Sequence, residues 1–207
     1  MGIPVIEHIF RNCSSLGIPV WVLTSEERSD DSLTEFLVER NISVYRGSLE
    51  NVLERFINFG TEHNFDYLIR ISGDSPLIHP EVIQEILETV SSHWNADIIT
   101  NVHPRTYPKG QSVELIPLST LLKLGTLPLL AENREHVTSY IYNNSDVFNI
   151  VNIRNSTDLS HINLCVDEPS DLNALEKIMQ SMDVPTSPVD LSWEDFSSRI
   201  MKGYSQE

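Results

Sequence analysis

The stretch DYLIRISGDSPLIHP, residues 66–80, decides the fold. Its apolar positions Leu68, Ile69 and Ile71 read as the inside of a sheet. Gly73, Asp74 and Pro76 then turn the chain out of the strand, and Pro80 suits the first turn of a helix. Outward from this stretch, short β-rich runs alternate with longer amphipathic ones. That alternation predicts an α/β fold, a mostly parallel sheet flanked by helices. Strands fit residues 19–24, 43–46, 66–72, 97–101, 112–116, 147–153 and 163–166. Helices fit residues 4–15, 30–40, 49–63, 80–92, 118–124, 132–143, 170–181 and 192–202. Ser192 and Asp195 resemble a capping box at the start of the last helix. The segment MDVPTSPVD, 182–190, reads as a linker, so the chain divides into an α/β domain over 1–183 and a C-terminal linker and helix over 184–207.

Composition bounds the partners. The 207 residues include 30 acidic and 14 basic side chains, a formal charge of −16. A nucleic-acid or anionic-membrane surface needs clustered lysine and arginine, so neither is expected. No apolar run reaches the length of a membrane span, and the N-terminus MGIPVIEH lacks the pattern of a signal peptide. Cys13 and Cys165 stand far apart in apolar surroundings, which predicts reduced thiols and a cytoplasmic protein. The eight glycines form neither GxGxxG nor GxxxxGK, and no Asp-x-Asp occurs. Rossmann-type dinucleotide binding, P-loop hydrolysis and the usual metal-dependent glycosyl transfer are thereby disfavoured.

In an open α/β sheet, ligands gather beyond the carboxyl ends of the strands. Thr24, Ser25, Arg46, Gly47, Gly73, Asp74, Asn101 and Asp167 occupy such positions. Two aspartates at two strand ends could hold Mg²⁺ or Mn²⁺ together with substrate phosphates. The alternatives are an Asx turn at Asp74 and a helix cap at Asp167. Arg70, mid-strand, needs a carboxylate, phosphate or carbonyl partner, and a structural ion pair would serve as well as a ligand. Arg46 faces the same rim, just before a helix start near Ser48 whose amides could serve an anion. The polar excursion 101–117 offers Arg105, Tyr107, Lys109, Gln111 and Glu114. The segment 132–144 adds Arg134, His136 and Thr138, although a lone helical histidine is as readily a surface or core residue as a catalyst.

YRGSLENVLERF, LIRISGDSPLIHPEVI, TNVHPRTYPKGQSVEL, NREHVTSYI and HINLCVDEPSDLNAL follow one another in an order characteristic of one family. Over residues 1 to 182 the chain resembles the cytidylyltransferases of spore-coat polysaccharide biosynthesis and the CMP-Kdo and CMP-acylneuraminate synthetases. The resemblance implies a nucleotide-diphospho-sugar transferase fold and formation of a CMP-sugar from CTP and a sugar or sugar acid, with homodimers common. It implies metal binding and catalysis by Asp74, in the Gly-Asp-x-Pro motif, and by Asp167, in Val-Asp-x-Pro. Arg46, Arg70, Gly73, Asn101, Arg105, Glu114 and His136 are the expected substrate contacts.

Two departures qualify that expectation. Relatives begin with a strand and a phosphate-cradling loop of the form Ala-Arg-x-Gly-Ser-x-Arg-Leu-Pro-x-Lys, whereas GIPVIEH matches the segment that follows this loop. The first strand is therefore expected to be missing, with an in-frame coding segment upstream of Met1 to supply it and a chain weakened in turnover without it. Ser112 also stands where relatives carry an acidic residue. A non-catalytic binding or dimerisation module and a nucleotide-sugar-dependent glycosyltransferase are the competing functions.

Overall fold

The computed structural model describes residues 2–181 and 188–204. The 66–80 stretch supplies β3 (Tyr67–Arg70), which belongs to a four-stranded sheet with β4 (Ile98–Thr100), β5 (Glu114–Pro117) and β6 (Ile150–Asn152) in the order β3-β5-β4-β6. β4 and β6 are parallel, while β5 runs antiparallel to both β3 and β4. Three strands of this sheet thus point one way and β5 opposes them. β1 (Trp21–Ser25) and β2 (Ser43–Gly47) form a separate parallel pair, connected through the crossover helix α2 (Asp31–Glu39).

Successive strand residues pack on opposite faces, as the pleat requires. Leu68, Ile98 and Ile116 join Leu53 and Phe59 of α3 (Val52–Glu62) and Leu121 and Leu124 of α5 (Leu118–Gly125). Their neighbours Ile69, Ile99 and Leu115 join Ile9 and Cys13 of α1 (Val5–Ser14) and Val82, Ile83 and Ile86 of α4 (Pro80–Thr89). Each such aliphatic side chain contributes about 1.5–3 kcal/mol when fully buried, so both layers are held by the same period-two pattern. α6 (Ala131–Glu135) and α7 (Ser139–Asn143) follow α5. A third cluster unites Leu77, Leu159, Ile162 and Leu164 with α8 (Pro169–Ser181) and α9 (Trp193–Tyr204).

Local chemistry sets the helix starts. Pro80 takes the first turn of α4, and Nδ1 of His79 accepts the Glu81 amide at 3.2 Å. α3 begins at Val52, not 49, because Asn51 takes the cap. Its Oδ1 accepts the Glu54 amide at 3.2 Å while its Nδ2 donates to Glu54 Oε2 at 3.0 Å. Ser192 Oγ accepts the Asp195 amide at 3.1 Å, the expected cap of α9.

Two expectations need correction. The helix 132–143 is broken into α6 and α7, since buried Val137 and Thr138 turn inward and Thr138 Oγ1 donates to Glu114 Oε1 at 2.8 Å. Residues 163–166 form no strand, only a single bridge between Asn163 and Lys109. Tyr204 OH accepts the Asn163 amide and donates to the Asn163 carbonyl, at 3.0 and 2.7 Å, so the groups a ladder needs go to a side chain. The boundary expected at 183/184 and most of the linker 182–190 lie outside the described residues. No helix among the described residues is long and apolar enough to cross a membrane.

Among the described residues, β1 and β3 each pair on one side only. A cavity of about 530 Å³, lined by Trp21, Val22 and Leu23 of β1 and by residues 67–73, lies between them. The cavity separates the two sheets.

Candidate active site

The turn that ends β3 and the segment that leads into α8 are tied together: the Val166 amide donates to the Asp74 carbonyl at 2.8 Å. This bond brings the turn that carries Asp74 beside the segment that carries Asp167, along one rim. Cys165 reports their shared neighbourhood, because its thiol is pushed up to about 11 by burial, then by the negative charges of Asp74 and Asp167, against the opposing influence of Ser75 and Arg105. Asp74 is half-buried and Asp167 exposed. Ser75 Oγ donates to Asp74 Oδ1 at 2.7 Å, a side-chain contact and not the backbone bond of an Asx turn, for which Pro76 has no N–H, and the carboxylate keeps further lone pairs. The cap at the head of α8 is not made by Asp167. Asp171 Oδ2 accepts the amides of Asp167 and Glu168 at 3.0 and 2.9 Å.

The excursion between β4 and β5 is locked around this rim by buried amides. Gln111 Oε1 accepts the His79 amide at 2.9 Å and its Nε2 donates to the Leu77 carbonyl at 2.6 Å, which fixes the chain just beyond Asp74. Asn101 is fully buried. It donates to the Gln111 carbonyl at 2.7 Å and accepts the Val113 amide at 3.0 Å, so it shapes the loop from within. Gly110 has φ +89°, and a Cβ there would lie 2.8 Å from the Leu164 backbone carbon, so only glycine lets the loop meet this segment. Gly73 has open space around it, and the fold itself makes no steric demand for glycine there.

Arg105 is half-buried; Nη1 donates to Ser112 Oγ at 3.0 Å, and burial lowers its pKa. Arg70 is engaged by Glu114: the two are cross-strand partners, with Nη1 2.5 Å from Oε2. The other oxygen of Glu114, a residue only 4% exposed, accepts Thr138 Oγ1 at 2.8 Å and Tyr142 OH at 2.6 Å. Burial, and secondarily Glu114, raises the Tyr142 phenol. The His103 ring stacks on Tyr142 with centroids 5.1 Å apart.

Other expected contacts lie apart from this cluster. Arg46 staples the turn after β1, donating to the carbonyls of Ser25 and Glu27, each at 2.8 Å, and pairing with Asp31. Thr24 and Ser25 are held by Asp30, whose carboxyl is lowered to about 2 by hydrogen bonds from Ser25 and then Thr24. His136 is exposed at the end of α6. Asp171 and Tyr142 were not singled out as site-forming from sequence, whereas Gln111 reads as one of the residues the 101–117 excursion offers. Of the first two, only Asp171, at cap spacing after Asp167, carried a local signal.

Among the described residues no three His, Cys, Asp or Glu side chains converge as a metal site. The donors on the rim are two carboxylates, the hard oxygen set that suits Mg²⁺ when substrate phosphates complete the shell.

Residues 1–187 match the family model described as Cytidylyltransferase. SpsF, the spore coat polysaccharide biosynthesis protein of Bacillus subtilis, is 26% identical over 62% of this chain and 52% of its own length. The matched stretches span 41% to 66% of the first three curated relatives. A solved cytidylyltransferase from Leptospira borgpetersenii superposes with TM-score 0.90 and 25% identity, covering 99% of this chain and 86% of that one. A CMP:2-keto-3-deoxy-manno-octonic acid synthetase solved in complex with CTP shares the fold, with TM-score 0.63, 16% identity, and 87% and 89% coverage.

Proposed function

The chain belongs to the cytidylyltransferase family, and on that premise we propose that it joins CMP, drawn from CTP, to a sugar or sugar acid for surface polysaccharide synthesis. One observation above others supports the reading, the Val166–Asp74 backbone bond, which brings the turn that carries Asp74 beside the segment that carries Asp167. In the proposed reaction a sugar hydroxyl oxygen forms a bond to the α-phosphorus of CTP. The α-phosphorus–bridging-oxygen bond breaks, pyrophosphate leaves with the electron pair, and the hydroxyl proton passes to solvent.

Asp74 and Asp167 would hold Mg²⁺, which when bound supplies charge neutralisation for the phosphates. The protein's remaining work is positioning and electrostatics, as in other phosphoryl-group chemistry. Arg105 is the cation best placed to meet an anionic group of the substrates, because its main protein partner is a neutral serine hydroxyl. Arg70 serves indirectly, since its guanidinium is spent on Glu114. The open space at Gly73 leaves room for close approach beside Asp74. The similarity to SpsF and, in fold, to the CTP-bound synthetase supports a sugar or 2-keto sugar acid as acceptor.

The test is Mg²⁺-dependent pyrophosphate release from CTP with a panel of 2-keto sugar acids and amino sugars. Release with at least one acceptor supports the reading. Transfer from UDP- or GDP-sugars without CTP contradicts it, and so does CTP binding with no release under any acceptor, which fits a non-catalytic module.

A further inference from the structure

Helix α9 and the residues just before it reach the loop that carries Arg105 at three points. At the first residue of α9, Trp193 Nε1 donates to Asn155 Oδ1 at 3.0 Å, and the Asn155 amide donates to Thr106 Oγ1 at 2.8 Å. The Trp193 ring also lies against that of Tyr107, with centroids 5.2 Å apart. At the last residue of α9, the Tyr204 hydroxyl holds both backbone groups of Asn163. The neighbours of Asn163 grip Lys109: its amide donates to the Ile162 carbonyl and its carbonyl accepts the Leu164 amide, each at 2.9 Å. Just before α9, the Leu191 carbonyl lies 3.2 Å from His79 Nε2, and the His79 amide donates to Gln111 Oε1 at 2.9 Å.

These contacts fall at residues 106, 107, 109 and 111, inside the span that Arg105 closes by donating to Ser112 Oγ at 3.0 Å. The second acceptor near Arg105 Nη1, the Pro108 carbonyl at 3.5 Å, belongs to the same loop. The shape of the loop therefore decides where the guanidinium points. Arg105 shares Cys165 as an electrostatic neighbour with Asp74 and Asp167, so its direction matters to the rim. A misplacement of about 1 Å can cost about 100-fold in rate, which gives a brace on such a loop a chemical purpose. α9 does not need its polar ends for anchorage, because Phe196 and Ile200 are fully buried in the third core cluster. It begins at residue 193, beyond the 1–187 stretch that carries the family match.

We propose that α9 is a clamp on the 105–112 loop, with Trp193 and Tyr204 as positioning residues that hold Arg105 toward an anionic group of the substrates. Trp193 acts through Asn155 and Thr106, and Tyr204 through Asn163 and Lys109. The use made of Arg105 rests on the nucleotidyl-transfer reading, whereas the clamp itself is a property of the fold.

The test is phenylglyoxal modification of the 207-residue chain, followed arginine by arginine by peptide mass spectrometry. Trp193→Phe keeps an aromatic ring and removes the indole donor, and Tyr204→Phe removes only the hydroxyl. Each should raise the modification rate of Arg105 at least about threefold, and the double variant should exceed either, while Arg46 and Arg70 react as in the parent. Thr106→Val, at the far end of the Trp193 relay, should reproduce Trp193→Phe, and Lys202→Ala, at an exposed position of α9, should change nothing. In pyrophosphate release from CTP, Trp193→Phe should raise the same KM as Arg105→Ala, and the two combined should match Arg105→Ala alone within about twofold. Parent-like labelling of Arg105 in the double variant would overturn the clamp, and so would an equal rise at Arg70, the mark of general loosening. Additive effects on KM would overturn the positioning role. Absence of release with every acceptor would count against the nucleotidyl-transfer reading and leave the labelling to decide the clamp.

Discussion

The Val166 amide donates to the Asp74 carbonyl at 2.8 Å, and this one backbone bond links the turn after β3 to the segment entering α8. It lies between residues 92 positions apart in the chain, so neither local motif could announce it. Its consequence is that Cys165, one residue before Val166, senses both acidic side chains of the rim.

Cys165 therefore offers a probe of the rim. With its thiol near 11, its thiolate fraction at pH 8 should be about 100-fold below that of a free cysteine, and iodoacetamide alkylation correspondingly slow. Asp74→Asn and Asp167→Asn should each speed alkylation at Cys165 by removing a negative charge. Cys13, pushed up to about 12 by burial alone, should not respond. Equal rates in all three proteins would place the carboxylates too far away to form one site.

Glu114 is the keystone of the β5 end of the sheet. Glu114→Gln removes the charge facing Arg70 and unbalances the contacts of Thr138 and Tyr142. Breaking a fully buried pair costs about 3–5 kcal/mol, and because Arg70 is 26% exposed the expected loss is below that range, about 2–3 kcal/mol by urea unfolding. A loss below about 0.5 kcal/mol would assign the pair to the surface class instead.

Two glycines should separate fold from site. Gly110→Ala forces a side chain onto backbone at a positive φ and should cost about 1–3 kcal/mol. Gly73→Ala meets no atom within 4 Å and should leave stability within about 0.5 kcal/mol while weakening CTP-dependent function. A stability loss at Gly73 matching that at Gly110 would make Gly73 structural.

Acid sensitivity should arise from buried histidines. His79 is lowered chiefly by burial, opposed by Glu81 and by carbonyls of Leu191 and Pro188, and it packs against Trp193 and Phe196. Its Nδ1 accepts the Glu81 amide, so the fold favours the neutral ring. Below about pH 6.5 the unfolded chain takes up the proton and the folded one resists it. Stability should thus begin to fall near pH 6.5 and keep falling until the folded-state pKa is reached. His8, also lowered by burial and with its Nε2 unpartnered among the described residues, acts in the same sense. His79→Asn, which keeps a cap acceptor, should flatten part of the slope measured by urea midpoints between pH 5 and 7.5. An unchanged slope would assign it elsewhere.

The layers of the fold were legible because apolar residues such as Leu68 and Ile69 alternate between two covered faces, and turn residues bound each run. Asp74 and Asp167 were legible as strand-end carboxylates after glycine or before proline. The 163–166 error has a specific cause: an apolar alternation there packs on α8 and α9 while Tyr204 takes the Asn163 backbone groups. Arg70 carried an ambiguity that only the register opposite Glu114 resolves. Asn101 and Gln111 read as ligand contacts or loop residues, and their buried amides are committed to the backbone of the rim.

The most direct test of the central claim is electron paramagnetic resonance of Mn²⁺ titrated with CTP in the presence of the protein and of its Asp74→Asn and Asp167→Asn variants. Protein-bound Mn²⁺ should increase with CTP in the parent, and each variant should lose at least about tenfold in Mn²⁺ affinity while unfolding at an unchanged urea midpoint. Mn²⁺–CTP binding that is equal in the parent and both variants would contradict the claim that these two carboxylates form the site.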